Sequence, residues 1–162
     1  MKYVFTYIFV IILSILPMKS LDGEISFVET NHTTEDYAEL FIKERHKELM
    51  LQAIITVESN GKLDAYNKRE QAVGILQIRP IMLKHANKII GYEKYSLEDR
   101  WSKDKSIEIF WIVQESHNPT MSLDQACHIW NAGIADKRKW EITEKYRNLV
   151  LNQYNRLLSN FF

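Results

Sequence analysis

The chain has 162 residues, of which 46% are hydrophobic and 26% are charged. It is therefore too apolar for a disordered protein and too short for more than one ordinary domain. Its 21 basic and 21 acidic side chains leave no net charge, whereas dedicated nucleic-acid-binding proteins carry a basic surplus. Cys127 is the only cysteine, so neither an internal disulfide nor a multi-cysteine metal site can form. We expect one globular domain that binds no nucleic acid.

The first 20 residues have the composition of an export signal. Lys2 is followed by an uncharged apolar run of about 14 residues, which ends at Pro17. The run is short for a membrane-spanning helix, which needs about 20 residues. No pair of small residues marks a cleavage site, so an uncleaved membrane anchor is the alternative to a signal peptide over residues 1–20. We predict export, followed by a flexible lead-in over residues 21–36.

The first predicted helix runs from about Tyr37 to Glu58. Thr34 is its predicted N-cap, because a hydroxyl there precedes two acids in the first turn. Residues three or four positions apart share one face of a helix, and the face predicted to be buried comprises Leu40, Phe41, Leu51, Ile54, Ile55 and Glu58. The turn at residues 59–61 ends the helix, since its Asn and Gly tolerate a left-handed backbone.

Four further helices are predicted after a polar loop. Residues 72–78 are apolar and β-branched, but too few for periodicity to separate strand from helix. Pro80 starts the second helix, which ends at Gly91. Ser102 caps the third helix, which is apolar around nearly its whole circumference and is therefore expected to be central and buried. Ser122 starts a short fourth helix. The final helix is amphipathic and is marked by Ile142, Tyr146, Leu149, Val150, Gln153 and Leu157. The pattern predicts one mainly α-helical domain over residues 37–162.

Glu58 is the residue that most clearly indicates chemistry. It lies one turn beyond Ile54 on the apolar face, where an ionised carboxylate is poorly solvated. It also lies at the C-terminus of its helix, where the helix dipole disfavours negative charge. Both effects raise a carboxyl pKa, which keeps a glutamate protonated near neutral pH and able to act as a general acid. The alternative is a frayed helix end with Glu58 in water.

Four short motifs occur in order within about residues 45–155. They are Glu58-Ser59, then Ala72-Val73-Gly74-Ile75-Leu76-Gln77, then Trp130-Asn131-Ala132-Gly133, then Tyr146 in the final helix. Together they resemble the lytic transglycosylase family, which is related to goose-type lysozyme. That family has a Glu-Ser pair, a Gly-Leu-Met-Gln-like segment, a Tyr-Asn-Ala-Gly segment and a tyrosine in its last helix. The resemblance implies a lysozyme-like, mainly α-helical fold, with at most a minimal β element beside a groove that holds a peptidoglycan strand.

The resemblance also implies a reaction. The family cleaves the β-1,4 bond between N-acetylmuramic acid and N-acetylglucosamine, and Glu58 takes the position of its single acid and base, with no metal or cofactor. The muramoyl 6-hydroxyl attacks in place of water and gives a 1,6-anhydro product. Ordinary glycosidases need a second carboxylate, and the nearest candidates, Asp64, Glu70 and Glu144, lie outside apolar runs. A substrate whose own N-acetyl carbonyl stabilises the anomeric carbon needs only one protein carboxylate.

By the same resemblance, the residues that bind the substrate are Ser59, Asn67, Gly74, Gln77, Trp130, Asn131 and Tyr146. Most of them also have a purely structural explanation: helix caps for Ser59 and Asn131, a turn for Gly74, core packing for Tyr146. Gln77 needs a hydrogen-bond partner if it is buried, either an N-acetyl group or a backbone amide. Trp130 replaces the family's Tyr but keeps a flat ring for stacking on a sugar. Asn67 stands about where the family often has Ser, and Leu76 where it often has Met.

Three other interpretations remain open at this stage: a hydrolase on the same fold, an inactive glycan-binding or secretion-machinery scaffold, and a membrane-anchored helical interaction protein. The five histidines, His32, His46, His85, His117 and His128, lack ligand spacing, so no metal site is predicted. The resemblance and the small size suggest action in the periplasm or cell envelope alongside a secretion, conjugation or phage apparatus. Membrane contact is expected only if the N-terminal segment is retained.

Overall fold

Five α-helices and one two-stranded ladder make up the part of the chain that the structure, a computed structural model, describes: residues 33–133 and 140–160. The helices are α1 (Thr34–Ser59), α2 (Pro80–Ile90), α3 (Lys103–His117), α4 (Leu123–Ala132) and α5 (Trp140–Ser159). Antiparallel β1 (Tyr66–Asn67) and β2 (Ala72–Val73) pair with Tyr66 opposite Val73, and a 3-10 helix spans Glu98–Trp101. The mainly α-helical fold with a minimal β element is confirmed.

The predicted export signal or anchor, and most of the predicted lead-in, lie outside the described residues. Backbone contacts divide the chain into two units, Met1–Glu39 and Leu40–Phe162. Within the described ranges, every helix is too short or too polar to cross a lipid bilayer.

Local signals determine where the helices begin and end. The α1 cap is Thr33, not Thr34 as predicted, because Thr33 and Asp36 form a reciprocal pair: the Asp36 N–H donates to Thr33 Oγ1 over 3.2 Å and the Thr33 N–H donates to Asp36 Oδ2 over 2.7 Å. The helix thus starts inside the predicted lead-in. The predicted caps Ser102 and Ser122 each accept a backbone N–H of the first turn, and Gly91 ends α2 with φ of 84°.

The core surrounds α3, as its all-round apolar pattern predicted. Ile109, Phe110 and Val113 are fully buried there. In α1, the prediction of one continuous buried face is wrong, because Leu40 is 57% exposed and Phe41 is 65% exposed. The buried residues of this 26-residue helix all lie between positions 49 and 55. Periodicity therefore identified the face but not how far along the helix the core extends.

The segment that periodicity left unassigned is a strand followed by a tight turn. Val73 and Ile78 exchange backbone hydrogen bonds of 2.9 and 3.3 Å, which closes the turn between them. Gly74 and Gln77 have positive φ angles of 74° and 47°. This turn lies between the hairpin and the start of α2, and it holds Gln77 at a fixed position beside the end of α1.

Candidate active site

One pocket brings together the ends of several elements. Its volume is about 330 Å³, including space open to solvent, and it is lined by Glu58, Glu70, Gln77, Ile78, Arg79, Met82, Trp130 and Asn131. These residues come from the end of α1, the loop between β1 and β2, the turn before α2 with its first residues, and the end of α4. Four of the eight residues predicted for the site line the pocket.

Glu58 is a half-buried carboxyl in the pocket wall. Tyr146, which comes from α5, donates its hydroxyl to Glu58 Oε1 over 2.7 Å. Burial raises the pKa of Glu58 to about 7, against the opposing effects of the Tyr146 hydrogen bond and of Arg79, while Glu70 raises it further. The alternative of a frayed end in water is therefore excluded for Glu58. At neutral pH the group is poised both to give and to take a proton.

Tyr146 lies beside Glu58 but does not itself line the pocket. Its own pKa is raised well above the usual value, chiefly by burial and next by the negative charge of Glu58. The phenol therefore stays protonated and can donate to the carboxylate form of Glu58. Sequence spacing alone could not have paired these residues, which lie 88 positions apart.

Gln77, Trp130 and Asn131 line the pocket in different ways. The Gln77 side-chain nitrogen donates to the carbonyls of Ala65 and Gly74 at 3.1 and 3.0 Å, which leaves its oxygen as the group able to accept from a ligand. Trp130 is only 4% exposed, and its indole N–H donates to the Leu76 carbonyl over 3.1 Å. The open ring face expected for sugar stacking is thus largely covered. Asn131 is exposed.

Ser59, Asn67 and Gly74 do not line the pocket; they shape it. The Ser59 hydroxyl donates to the Ile75 carbonyl over 2.7 Å and ties the end of α1 to the turn. Asn67 Oδ1 accepts from the N–H groups of Arg69 and Glu70, at 3.1 and 3.3 Å, and bends the loop that carries Glu70. These contacts are structural, and no sugar is needed to explain the three residue types.

The close approach expected at Gly74 exists, but the neighbour is the chain itself. A Cβ at this position would lie 2.2 Å from the carbonyl oxygen of Arg100. The positive φ of Gly74 adds a second reason for glycine. Arg100 is 7% exposed, and its guanidinium donates to the carbonyls of Gln71 and Ile78 at 2.9 and 3.0 Å. Arg100 thus holds the backbone on both sides of the Gly74 turn, which lies behind the pocket wall. The sequence alone did not identify this residue.

The pair of Arg79 and Glu70 is the main feature that sequence reasoning missed. Arg79 Nη1 lies 4.0 Å from Glu70 Oε2, and Arg79 Nη2 donates to the carbonyls of Asn131 and Trp130 at 3.2 and 3.4 Å. Glu70 had been considered only as a candidate second carboxylate outside the apolar runs, without a partner. The signal for Arg79 was its position: a charged residue between the apolar turn and the proline that opens α2. The pair places one cation and a second carboxylate in the pocket with Glu58.

Within residues 33–133 and 140–160, no three His, Cys, Asp or Glu side chains are grouped as a metal site. His85 on α2 and His117 on α3 do meet, with their Nε2 atoms 2.8 Å apart. One ring donates and the other accepts, so the hydrogen bond requires at least one of them to be neutral. The His pair links two helices and does not line the pocket.

The comparison with protein families agrees with the four motifs. The family model for the transglycosylase SLT domain matches residues 39–149, which is more than half of the chain and includes Glu58, the hairpin, all of α4 and Tyr146. The chain matches no curated protein and no solved structure. It belongs to the transglycosylase SLT domain family.

Proposed function

We propose that this protein cleaves the β-1,4 bond between N-acetylmuramic acid and N-acetylglucosamine in peptidoglycan, with Glu58 as the only acid and base. The observation that supports this most directly is the carboxyl of Glu58, which is half-buried in a pocket wall and has a pKa of about 7. A group with that pKa is protonated in a useful fraction of molecules at neutral pH and regains a proton easily.

In the proposed reaction, protonated Glu58 gives its proton to the glycosidic oxygen as the bond from that oxygen to the muramoyl C1 breaks. The substrate's N-acetyl carbonyl oxygen attacks C1 and holds its positive charge. The Glu58 carboxylate then takes the proton of the muramoyl 6-hydroxyl, whose oxygen bonds to C1 and displaces the N-acetyl oxygen. The product is a 1,6-anhydro sugar, and Glu58 ends the cycle protonated. Tyr146 donates to the carboxylate form of Glu58 during this cycle.

The hydrolytic alternative has one observation in its favour. Glu70 lines the same pocket as Glu58, and two carboxylates across a sugar are what inverting hydrolysis requires. The pairing of Glu70 with Arg79 favours a supporting role instead, since a carboxylate that faces a guanidinium is less available to an attacking water.

The test is a digest of purified sacculi followed by mass spectrometry of the released fragments. We expect anhydro-ended fragments from the native protein and at least about 100-fold fewer from Glu58→Gln, with both proteins folded by circular dichroism. Reducing ends in place of anhydro ends would establish the hydrolase. Equal activity of the two proteins would show that Glu58 is not the acid or base. If neither protein cleaves sacculi, the protein is an inactive glycan-binding scaffold or an interaction protein.

The cellular setting is part of the proposal and is supported by the N-terminal sequence. An apolar segment over residues 1–20 suits export to the periplasm or cell envelope, where peptidoglycan lies, whether the segment is removed or kept as an anchor. Local opening of the wall for a secretion, conjugation or phage apparatus is consistent with the small size. Fractionation of cells that produce the full chain tests the location, and a protein that remains in the cytoplasm would contradict it.

A further inference from the structure

Two large aromatic side chains next to the pocket remain in water. Tyr66 in β1 is 58% exposed, and Trp101, the last residue of the 3-10 helix, is 44% exposed. Their ring centroids lie 6.3 Å apart, and the ring planes are inclined by 45°. Aromatic rings dominate the energetics of binding surfaces, so two adjacent exposed rings indicate a place where a ligand binds. We call this pair the aromatic platform.

The aromatic platform adjoins the pocket. The carbonyl of Ala65, one residue before Tyr66, accepts from the Gln77 side chain over 3.1 Å. The guanidinium of Arg100, one residue before Trp101, donates to the Ile78 carbonyl over 3.0 Å. Gln77 and Ile78 both line the pocket, and neighbouring Cα atoms are about 3.8 Å apart. Each ring is therefore carried by a residue whose neighbour in the chain contacts a residue of the pocket wall.

The backbone that carries the two rings is held by several contacts. Tyr66 pairs with Val73 in the ladder, and Arg100 is a buried residue whose carbonyl packs against Gly74. Side chains on a backbone fixed in this way lose less conformational entropy on binding than side chains on a loose loop. The platform is thus preorganised for a ligand with flat apolar faces.

We propose that Tyr66 and Trp101 stack on sugar rings of the peptidoglycan strand beyond the bond that is cleaved. The ring substituents of these β-linked amino sugars are equatorial, so each ring face presents C–H groups that pack on an aromatic surface. A strand that leaves the pocket on the side of the β1–β2 hairpin meets the platform next. This inference rests on the proposed function and adds a binding subsite to it.

The test measures binding to purified sacculi by co-sedimentation, in the Glu58→Gln full chain so that no strand is cut. We expect Tyr66→Ala and Trp101→Ala each to weaken binding about tenfold, which equals about 1.4 kcal/mol. Tyr66→Phe and Trp101→Phe keep a ring and should retain most of the affinity. They separate loss of the stacking surface from loss of fold, and thermal melts of all variants check the fold directly.

Tyr92 offers a matched control. It is 63% exposed, but it follows the far end of α2, whose 11 residues extend about 16 Å from the pocket end. Tyr92→Ala should bind sacculi as well as its parent. If the alanine variants of the platform also bind like their parent, the platform is refuted and the proposed function stands.

Two other outcomes also count against the platform. If the Glu58→Gln parent does not sediment with sacculi at all, the platform and the proposed function fail together. If the parent is a dimer in light scattering and Trp101→Ala makes it a monomer, the rings belong to an interface between copies and the glycan assignment is overturned.

Discussion

Two glutamates of this domain accept a hydrogen bond from a tyrosine hydroxyl, yet their pKa values move in opposite directions. Tyr146 donates to Glu58 over 2.7 Å, and Tyr95 donates to Glu108 over 2.9 Å. The pKa of Glu58 is raised to about 7, mainly by burial. The pKa of Glu108 is lowered, mainly by the Tyr95 hydrogen bond and to a smaller extent by a hydrogen bond from Lys94. The tyrosine therefore does not decide which carboxyl becomes an acid at neutral pH.

The surroundings of the two carboxyls account for the difference. The Glu108 side chain is 42% exposed, with the Lys94 and Lys105 ammonium groups 3.2 and 3.4 Å away, so water and two cations stabilise its negative charge. Glu58 is half-buried in the pocket, and the cation that acts on it, Arg79, is already paired with Glu70. Glu108 is thus an internal reference for Glu58, and variants of both test the proposal in pairs.

The largest difference is expected in catalysis. Glu58→Gln should lower the rate of sacculus cleavage about 10²- to 10⁴-fold, the usual contribution of a general acid or base. Glu108→Gln should change the rate by less than about twofold, since it removes an exposed ion pair of small energetic weight. Turbidity loss of sacculi measures both. Comparable losses in the two variants would show that the assay reports fold damage and not proton transfer.

The second largest difference is expected in stability, with opposite signs. The folded state keeps the Glu58 proton up to about pH 7, whereas the unfolded chain releases it near 4.5, so Glu58 makes the fold less stable as pH rises between these values. The change is up to about 3 kcal/mol, because each pH unit of difference is worth about 1.4 kcal/mol. The uncharged amide of Glu58→Gln avoids this cost.

Urea unfolding at pH 4.5 and pH 8 measures the effect. Glu58→Gln should gain stability over the native protein at the higher pH. Glu108→Gln should instead be slightly less stable than the native protein at both pH values, and this difference should disappear only well below pH 4.5, because a lowered pKa stabilises the fold only while the group is ionised. If the stability of Glu58→Gln relative to the native protein does not depend on pH, Glu58 does not titrate near 7.

The parts of the fold that the sequence predicted well depend on neighbours in the chain. Pro80, Gly91, Ser102 and Ser122 mark helix ends through contacts within one turn, so their chemistry can be read without a structure. The error at Phe41 has the opposite origin. An apolar stripe shows which face of a helix is apolar, but what covers that face depends on tertiary packing.

In the candidate site, too, features that depend on chain neighbours could be predicted and features that depend on tertiary packing could not. The burial of Glu58 followed from local pattern, but its partner Tyr146 came only from the family resemblance, because they lie 88 positions apart. Glycine is needed at position 74 because the Arg100 carbonyl packs against it, and no local sequence motif predicts that contact. The pairing of Arg79 with Glu70 likewise needs the fold, since each residue read alone is an ordinary charged loop residue.

A smaller effect is expected from the tyrosines. The Tyr146 hydrogen bond favours the ionised form of Glu58, so Tyr146→Phe should raise the pKa of Glu58 further. The fall of activity at alkaline pH should then move upward by about one pH unit, since a hydrogen bond to a charged group is worth about 1.5 kcal/mol. Tyr95→Phe should leave the profile unchanged. A downward shift in Tyr146→Phe would mean that the hydroxyl does not stabilise the carboxylate.

The smallest and most discriminating effect is expected from the Arg79 and Glu70 pair, whose two charges act on Glu58 in opposite directions. Arg79→Met should move the alkaline limb of the pH profile upward and Glu70→Gln should move it downward, each by about half a pH unit, because partly exposed charges interact weakly. The double variant should return close to the native profile.

Arg79→Lys separates charge from geometry in that pair. Lysine keeps the positive charge but lacks the planar fork that lets one guanidinium face Glu70 and the Trp130 and Asn131 carbonyls together. The pH profile of Arg79→Lys should therefore stay native while its rate falls, because the end of α4 is no longer tied to the start of α2. If Arg79→Lys shifts the profile as far as Arg79→Met does, the guanidinium acts on Glu58 through the shape of the pocket and not through its charge.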